Sequence, residues 1–131
     1  MAKYFTLGEL CASDIARIPN TPTDQATLGR IDALMERCLD KVREMWGKPI
    51  GVKSGYRSLE LNRAVGGDKN SQHMRGEAAH ITAGTREDNR LLFNLIASSN
   101  IEFDVLASEA EYRWIHISYC TDYNRQIVKH L

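Results

Sequence analysis

An excess of charge of either sign is missing from this chain. Its 17 lysines and arginines are balanced by 17 aspartates and glutamates, so no general attraction to nucleic acid or to an anionic membrane follows. Apolar runs of membrane-spanning length are missing too. The opening Met1-Ala2-Lys3-Tyr4-Phe5-Thr6 has no apolar signal core. Cysteine is scarce: Cys11, Cys38 and Cys120 lie far apart and form no CxxC pair. An odd, scattered set excludes a zinc ribbon, argues against a disulfide framework and fits a reducing compartment. Repeats, low-complexity tracts and linkers are absent as well, so the 131 residues read as one domain, 1–131, large enough to bury a core. These absences predict no nucleic-acid partner, no membrane span, a monomer, and cytoplasmic synthesis without a signal peptide. Action on a cell wall after release stays open.

What is present is patterned for an α+β domain. Thr6, with Glu9 three residues on, can cap a short first helix. Pro19 and Pro22 force an extended segment. Thr23 or Asp24 then caps the longest helix, reaching about Trp46, in which Leu28, Ile31, Leu34, Met35, Cys38, Leu39, Val42 and Met45 recur at three- and four-residue steps. Gly47 and Pro49 stop it. A short strand is expected over 50–54 and a short helix over 58–64, halted by Gly66 and Gly67. Residues 68–76 read as a polar loop with a helical turn near 72–75. A second strand is expected over 78–82, and a helix capped by Thr85 over 86–98 with Leu91, Leu92, Leu95 and Ile96 inward. The last two strands fall at 103–107 and 114–119, joined by a hairpin-like 109–113. Residues 120–131 form a polar tail without an assigned element. Helices first, then short strands with a helix between, predict a small antiparallel sheet packed against helices.

Three of the four histidines sit where chemistry can converge. His73 lies in the polar loop, His80 is seven residues on in the second strand, and His116 is in the last strand. Alternation puts Trp114, His116 and Ser118 on one face of that strand and Ile115, Ile117 and Tyr119 on the other. If the two strands are neighbours, both imidazoles can meet at one point, with His73 arriving from the loop. Three imidazoles with an open fourth position are a catalytic zinc arrangement. The bland alternative for each is a half-buried histidine satisfied by its surroundings, and spacing alone does not separate the two.

A resemblance does. Ser54-Gly55-Tyr56-Arg57-Ser58, then Leu61-Asn62-Arg63-Ala64-Val65-Gly66-Gly67, then Ser71-Gln72-His73-Met74-Arg75-Gly76, and finally Trp114-Ile115-His116-Ile117-Ser118 resemble the zinc D-Ala-D-Ala carboxypeptidase and murein endopeptidase family. That family shares its fold with the hedgehog signalling domain. The opening Phe5-Thr6-Leu7-Gly8-Glu9-Leu10 and Asn20-Thr21-Pro22 resemble its small phage- and prophage-type members. The likeness runs over about residues 5–119. It implies that His73, in a Ser-x-His-x-x-Gly element, and His116, in a Trp-x-His-x-Ser element, are zinc ligands. The ligand between them is usually an aspartate; here it is His80, a natural or engineered departure. Imidazole is itself a good zinc ligand, and copper, cobalt, nickel or iron suit it as well.

The same resemblance implies that Arg57 holds a carboxylate or carbonyl of a peptidoglycan stem peptide, as a guanidinium fork does well, and that Ser71 hydrogen-bonds substrate. Glu109, shortly after Phe103-Asp104-Val105-Leu106, is the expected general base, with Glu111 in reserve. Some relatives place that group three residues before the last ligand, where Arg113 stands and cannot act as a base. Asp104 could orient a histidine or cap a strand. The function implied is a zinc metallopeptidase of stem peptides. The rivals are other chemistry at a three-histidine site (ester hydrolysis, hydration or redox) and a non-catalytic metal-binding module.

Overall fold

The computed structural model describes residues 2–131. Five helical segments and five strands follow one another as α1 (Leu7–Cys11), α2 (Gln25–Leu34), α3 (Asp40–Trp46), β1 (Gly51–Ser54), α4 (Leu59–Ala64), β2 (Ala78–Thr82), α5 (Arg86–Ser98), β3 (Val105–Glu109), β4 (Trp114–Ser118) and β5 (Ile127–His130). A π-helical turn, Met35–Leu39, joins α2 to α3, and a 3₁₀ turn, Gln72–Arg75, precedes β2. No helix among the described residues is long and apolar enough to cross a membrane.

The caps expected from sequence form. Thr6 and Glu9 make a reciprocal capping box, and Asp24, not Thr23, caps α2 by accepting from the Thr27 amide. The long helix runs without a gap from Gln25 to Trp46 but is not uniform. One π turn shifts its register between Leu34 and Asp40, which lets the Asp40 carboxylate turn inward. It accepts from the Lys3 and Tyr4 amides at 2.6 and 3.0 Å and so pins the N-terminal segment to the helix.

The sheet has the order β1-β2-β4-β3-β5. The first three pairings are antiparallel, as expected, but β5 runs parallel to β3. The residues read as a tail therefore supply an edge strand, and the sheet is mixed. Its anchor is a side-chain pair that the residues' separation in sequence hid: Arg125 donates twice to Asp104, at 2.9 and 2.8 Å, and the Ile127 amide donates to the Asp104 carbonyl at 2.9 Å.

Helices α1, α2, α3 and α5 supply the core on one face of the sheet, whereas α4 contributes nothing to it. Ile81, Leu106, Ile115 and Ile117 point into a core with Ile31, Leu34, Leu39, Leu92, Phe93 and Ile96. Burying each such side chain contributes about 1.5–3 kcal/mol. The inward face of α5 differs from expectation. Leu91 and Leu95 are exposed, while Phe93 is buried beside Leu92 and Ile96. Five large apolar residues in α5 allow two stripes, and the one holding the larger aromatic wins because it removes more apolar area from water. Strand β3 begins and ends two residues later than expected, at Val105 and Glu109.

Candidate metal centre

The opposite face of the sheet is a cleft of about 840 Å³. His80 and His116 are directly cross-strand partners in the β2–β4 pairing, so the convergence that alternation suggested is a consequence of register. His73 comes from the 3₁₀ turn, which Ser71 caps by accepting from the His73 amide at 3.1 Å. One ring nitrogen from each of the three lies within 4.8 Å of the others. His73 Nε2 and His80 Nε2 stand 3.3 Å apart.

The surroundings set the imidazoles' protonation. His73 Nδ1 donates to the Gly55 carbonyl at 2.8 Å; since a carbonyl can only accept, Nε2 is left with its lone pair facing the cluster. Burial first, then the neighbouring His80, pushes His73 down to about 3. Burial, followed by His80, likewise brings His116 down to about 4. Both are neutral donors at neutral pH. Trp114 stacks on His80 with ring centroids 5.7 Å apart and walls one side.

Glu109 reaches this cluster from the end of β3. Its Oε2 is 3.4 Å from His80 Nε2 and 3.7 Å from His116 Nδ1. The hydrogen bond with His80 is the main reason that its carboxyl is held down to about 2, and it is ionised. Glu111 is not at this site: it sits past the strand end and lines a separate cleft with Arg86 and Arg90 over α5. Asp104 lines the histidine cleft but touches no histidine. Its carboxylate is committed to Arg125 and accepts from Gln72 at 3.1 Å, which corrects the idea that it orients a ligand.

Arg57 lines the same cleft, half-buried. It donates to Ser54 Oγ at 3.2 Å and to Asn62 Oδ1 at 3.4 Å, and no carboxylate among the described residues pairs with it. Its backbone amide donates to the His73 carbonyl at 3.0 Å, coupling the two segments. Asn62 was missed from sequence. It is buried, bridges Arg57 to the Asp68 carbonyl, and packs so closely on Gly67 that any Cβ there would overlap its side chain. Asn20 was also missed: it donates to the Cys11 and Tyr56 carbonyls and accepts from the Ser58 amide, tying the proline-rich segment to the turn that carries Arg57. The signal lay in both asparagines sitting inside the matched motifs, where a buried side-chain amide serves several partners at once, three for Asn20 and two for Asn62.

The Peptidase M15 family model matches residues 3–118. The chain belongs to the Peptidase M15 family. A zinc D-Ala-D-Ala carboxypeptidase of Streptomyces albus G is 43% identical over 63 residues, which make up 47% of this chain and 25% of that relative. The chain thus matches about a quarter of the relative's length. In this Peptidase M15 member the matched residues include all three histidines, Arg57 and Glu109, while β5 lies beyond them.

Proposed function

We propose that the protein is a zinc-dependent peptidase of peptidoglycan stem peptides, of D,D-carboxypeptidase or endopeptidase type, on the scaffold shared with the hedgehog domain. The observation that carries this reading is the cluster of three histidine nitrogens within 4.8 Å in a member of a peptidase family. The donor set fits zinc. Two nitrogens at about 2.05 Å from a tetrahedral zinc lie about 3.4 Å from each other, and His73 and His80 are 3.3 Å apart. His73, His80 and His116 would hold the ion. Bound there, zinc supplies a Lewis acid that polarises a peptide carbonyl and acidifies water.

The remaining steps fall to the chain's own side chains. Arg57, steadied by Ser54 and Asn62, presents its free guanidinium edge to a carboxylate or carbonyl of the stem peptide. Ser71 uses a lone pair to cap the 3₁₀ turn, which leaves its hydroxyl proton for a substrate oxygen. Glu109, ionised beside His80 and His116, takes a proton from the attacking water at Oε2 and returns it to the leaving amine.

His80 favours a second reading. An imidazole where the resemblance implies a carboxylate removes one negative charge, and the resulting all-nitrogen set also accepts other transition metals. Ester hydrolysis, hydration or redox chemistry on the same scaffold would follow. Metal content of the purified protein, with His73→Ala and His116→Ala beside it, separates these readings. The peptidase reading expects about one zinc per chain, lost in both variants, and cleavage of a peptide ending in D-Ala-D-Ala. His80→Asp is expected to raise that cleavage. Full occupancy by another metal, with ester turnover but no peptide turnover, would move the conclusion to the second reading.

A further inference from the structure

The histidines sit in the middle of a row that crosses the whole sheet. Pairing register sets Ser54 against His80, His80 against His116, His116 against Ala107, and Ala107 against Lys129. Arg57 bonds to Ser54 at one end of this row, and Lys129 is the other end. Both line the same cleft.

Four cations line that cleft: Arg57, Arg75, Arg125 and Lys129. Arg75 is paired with Glu77 at 2.8 Å, and Arg125 is held in two bonds by Asp104. Arg57 and Lys129 are the two that make no ion pair within 4.0 Å with a carboxylate among the described residues, although Glu109 acts on Arg57 at longer range, and they flank the histidines from opposite sides. Lys129 is exposed, yet its backbone is fixed. Ladder pairing to Ala107, the Arg125–Asp104 bonds and the Leu131 amide donating to the Ser108 carbonyl at 2.8 Å hold the strand that presents it.

We propose that Lys129 forms a second carboxylate subsite, across the histidines from Arg57, and that the preferred substrate is a peptide with an acidic side chain on the amino-terminal side of the bond cut. This rests on the peptidase reading, in which Arg57 takes the carboxylate on the carboxyl-terminal side. The distances agree. Strand β5 is two strand spacings, about 10 Å, from β4, and an extended peptide advances about 3.4 Å per residue. An acidic residue one position before the residue that supplies the scissile carbonyl therefore falls within reach of the lysine side chain. Strand β5 lies outside the residues matched by the family model, so this selectivity would be a property of this chain's own C-terminal segment.

The test compares two synthetic peptides, acetyl-Glu-D-Ala-D-Ala and acetyl-Gln-D-Ala-D-Ala, on the zinc-loaded full chain. They differ only in one charge. The glutamyl peptide should be preferred about fivefold, through KM, as expected for a partly solvated ion pair, and the preference should shrink as salt is raised. In Lys129→Gln the ratio should collapse to about one, while Lys129→Arg should keep it. A ratio near one in the parent protein, or a preference untouched by Lys129→Gln, overturns the subsite. Equilibrium binding of the same peptides, followed by NMR, keeps the two ideas apart. Lys129-dependent binding without cleavage sustains the subsite and sinks the peptidase reading. Cleavage without discrimination does the reverse, and no binding at all sinks the subsite.

Discussion

The two faces of the sheet are written by alternate residues of the same strands, yet they obey different rules. On the helix side Ile81, Leu106, Ile115 and Ile117 are fully buried, and each could exchange its neighbours with modest cost so long as volume is kept. On the cleft side His80, His116 and Glu109 interact through single atoms at 3.4 and 3.7 Å, where a shift of an ångström changes the chemistry. The comparison teaches that the first face positions the second. A histidine between two packed isoleucines, as His116 is, has its backbone fixed on both sides, so little freedom remains to be lost when a metal or substrate is engaged.

Glu109→Gln should weigh most heavily on the cleft face alone. Peptide turnover is expected to fall about a thousandfold, the usual scale for losing a general base, with zinc content and unfolding midpoint near those of the parent. A variant that cleaves as well as the parent would remove Glu109 from the proton path. On the other face, Ile117→Ala should cost about 3 kcal/mol of stability in denaturant titration, the ordinary result of emptying a packed isoleucine site. If the two faces are linked as argued, the same variant also weakens zinc retention although it touches no ligand; unchanged retention would show that the histidines are held independently of the core.

The smallest effect concerns pH and the metal-free protein. His73 and His116 have folded-state values lowered to about 3 and about 4 from the ordinary 6.5. Between those limits the unfolded chain binds protons that the folded chain does not. Stability from this source is therefore unaffected above about 6.5 and declines as pH falls toward 4 and 3. Thermal unfolding of the metal-free protein across pH 5–7 should show that decline, and it should be reduced in His73→Ala. An equal slope in the variant would mean that the imidazoles titrate freely and that burial does not govern them.

Much of this was legible before the fold was seen, because it depended on local chemistry. The Thr6–Glu9 box, the Asp24 and Thr85 caps and the αL glycine at Gly47 all occur where the sequence put them. What was not legible involved partners distant in the chain. The edge strand β5 depends on Arg125 finding Asp104, 21 residues away, and its polar residues carry no two-residue alternation to reveal it. The wrong stripe in α5, with Leu91 and Leu95 exposed, arose because a helix with two apolar faces leaves the choice to whatever it packs against. Glu109 and Glu111 are two residues apart and chemically alike. Only the end of β3 and the left-handed turn through Ala110, Glu111 and Tyr112 send one into the histidine cleft and the other away.

By itself, then, the sequence determined the secondary-structure caps, the alternation that puts His116 on a polar face, and membership of a peptidase family through motifs that are contiguous in the chain. Each of these is an interaction within a few residues, or a periodicity of one strand or helix. Tertiary structure alone decided that His80 stands directly across from His116, that Gly55 sets the tautomer of His73, and that Lys129 ends the row which Arg57 begins. Those are matters of register between strands and of approach between loops. They depend on which segments share a core, and the physical cause is the packing of the apolar face on which the whole cleft is mounted.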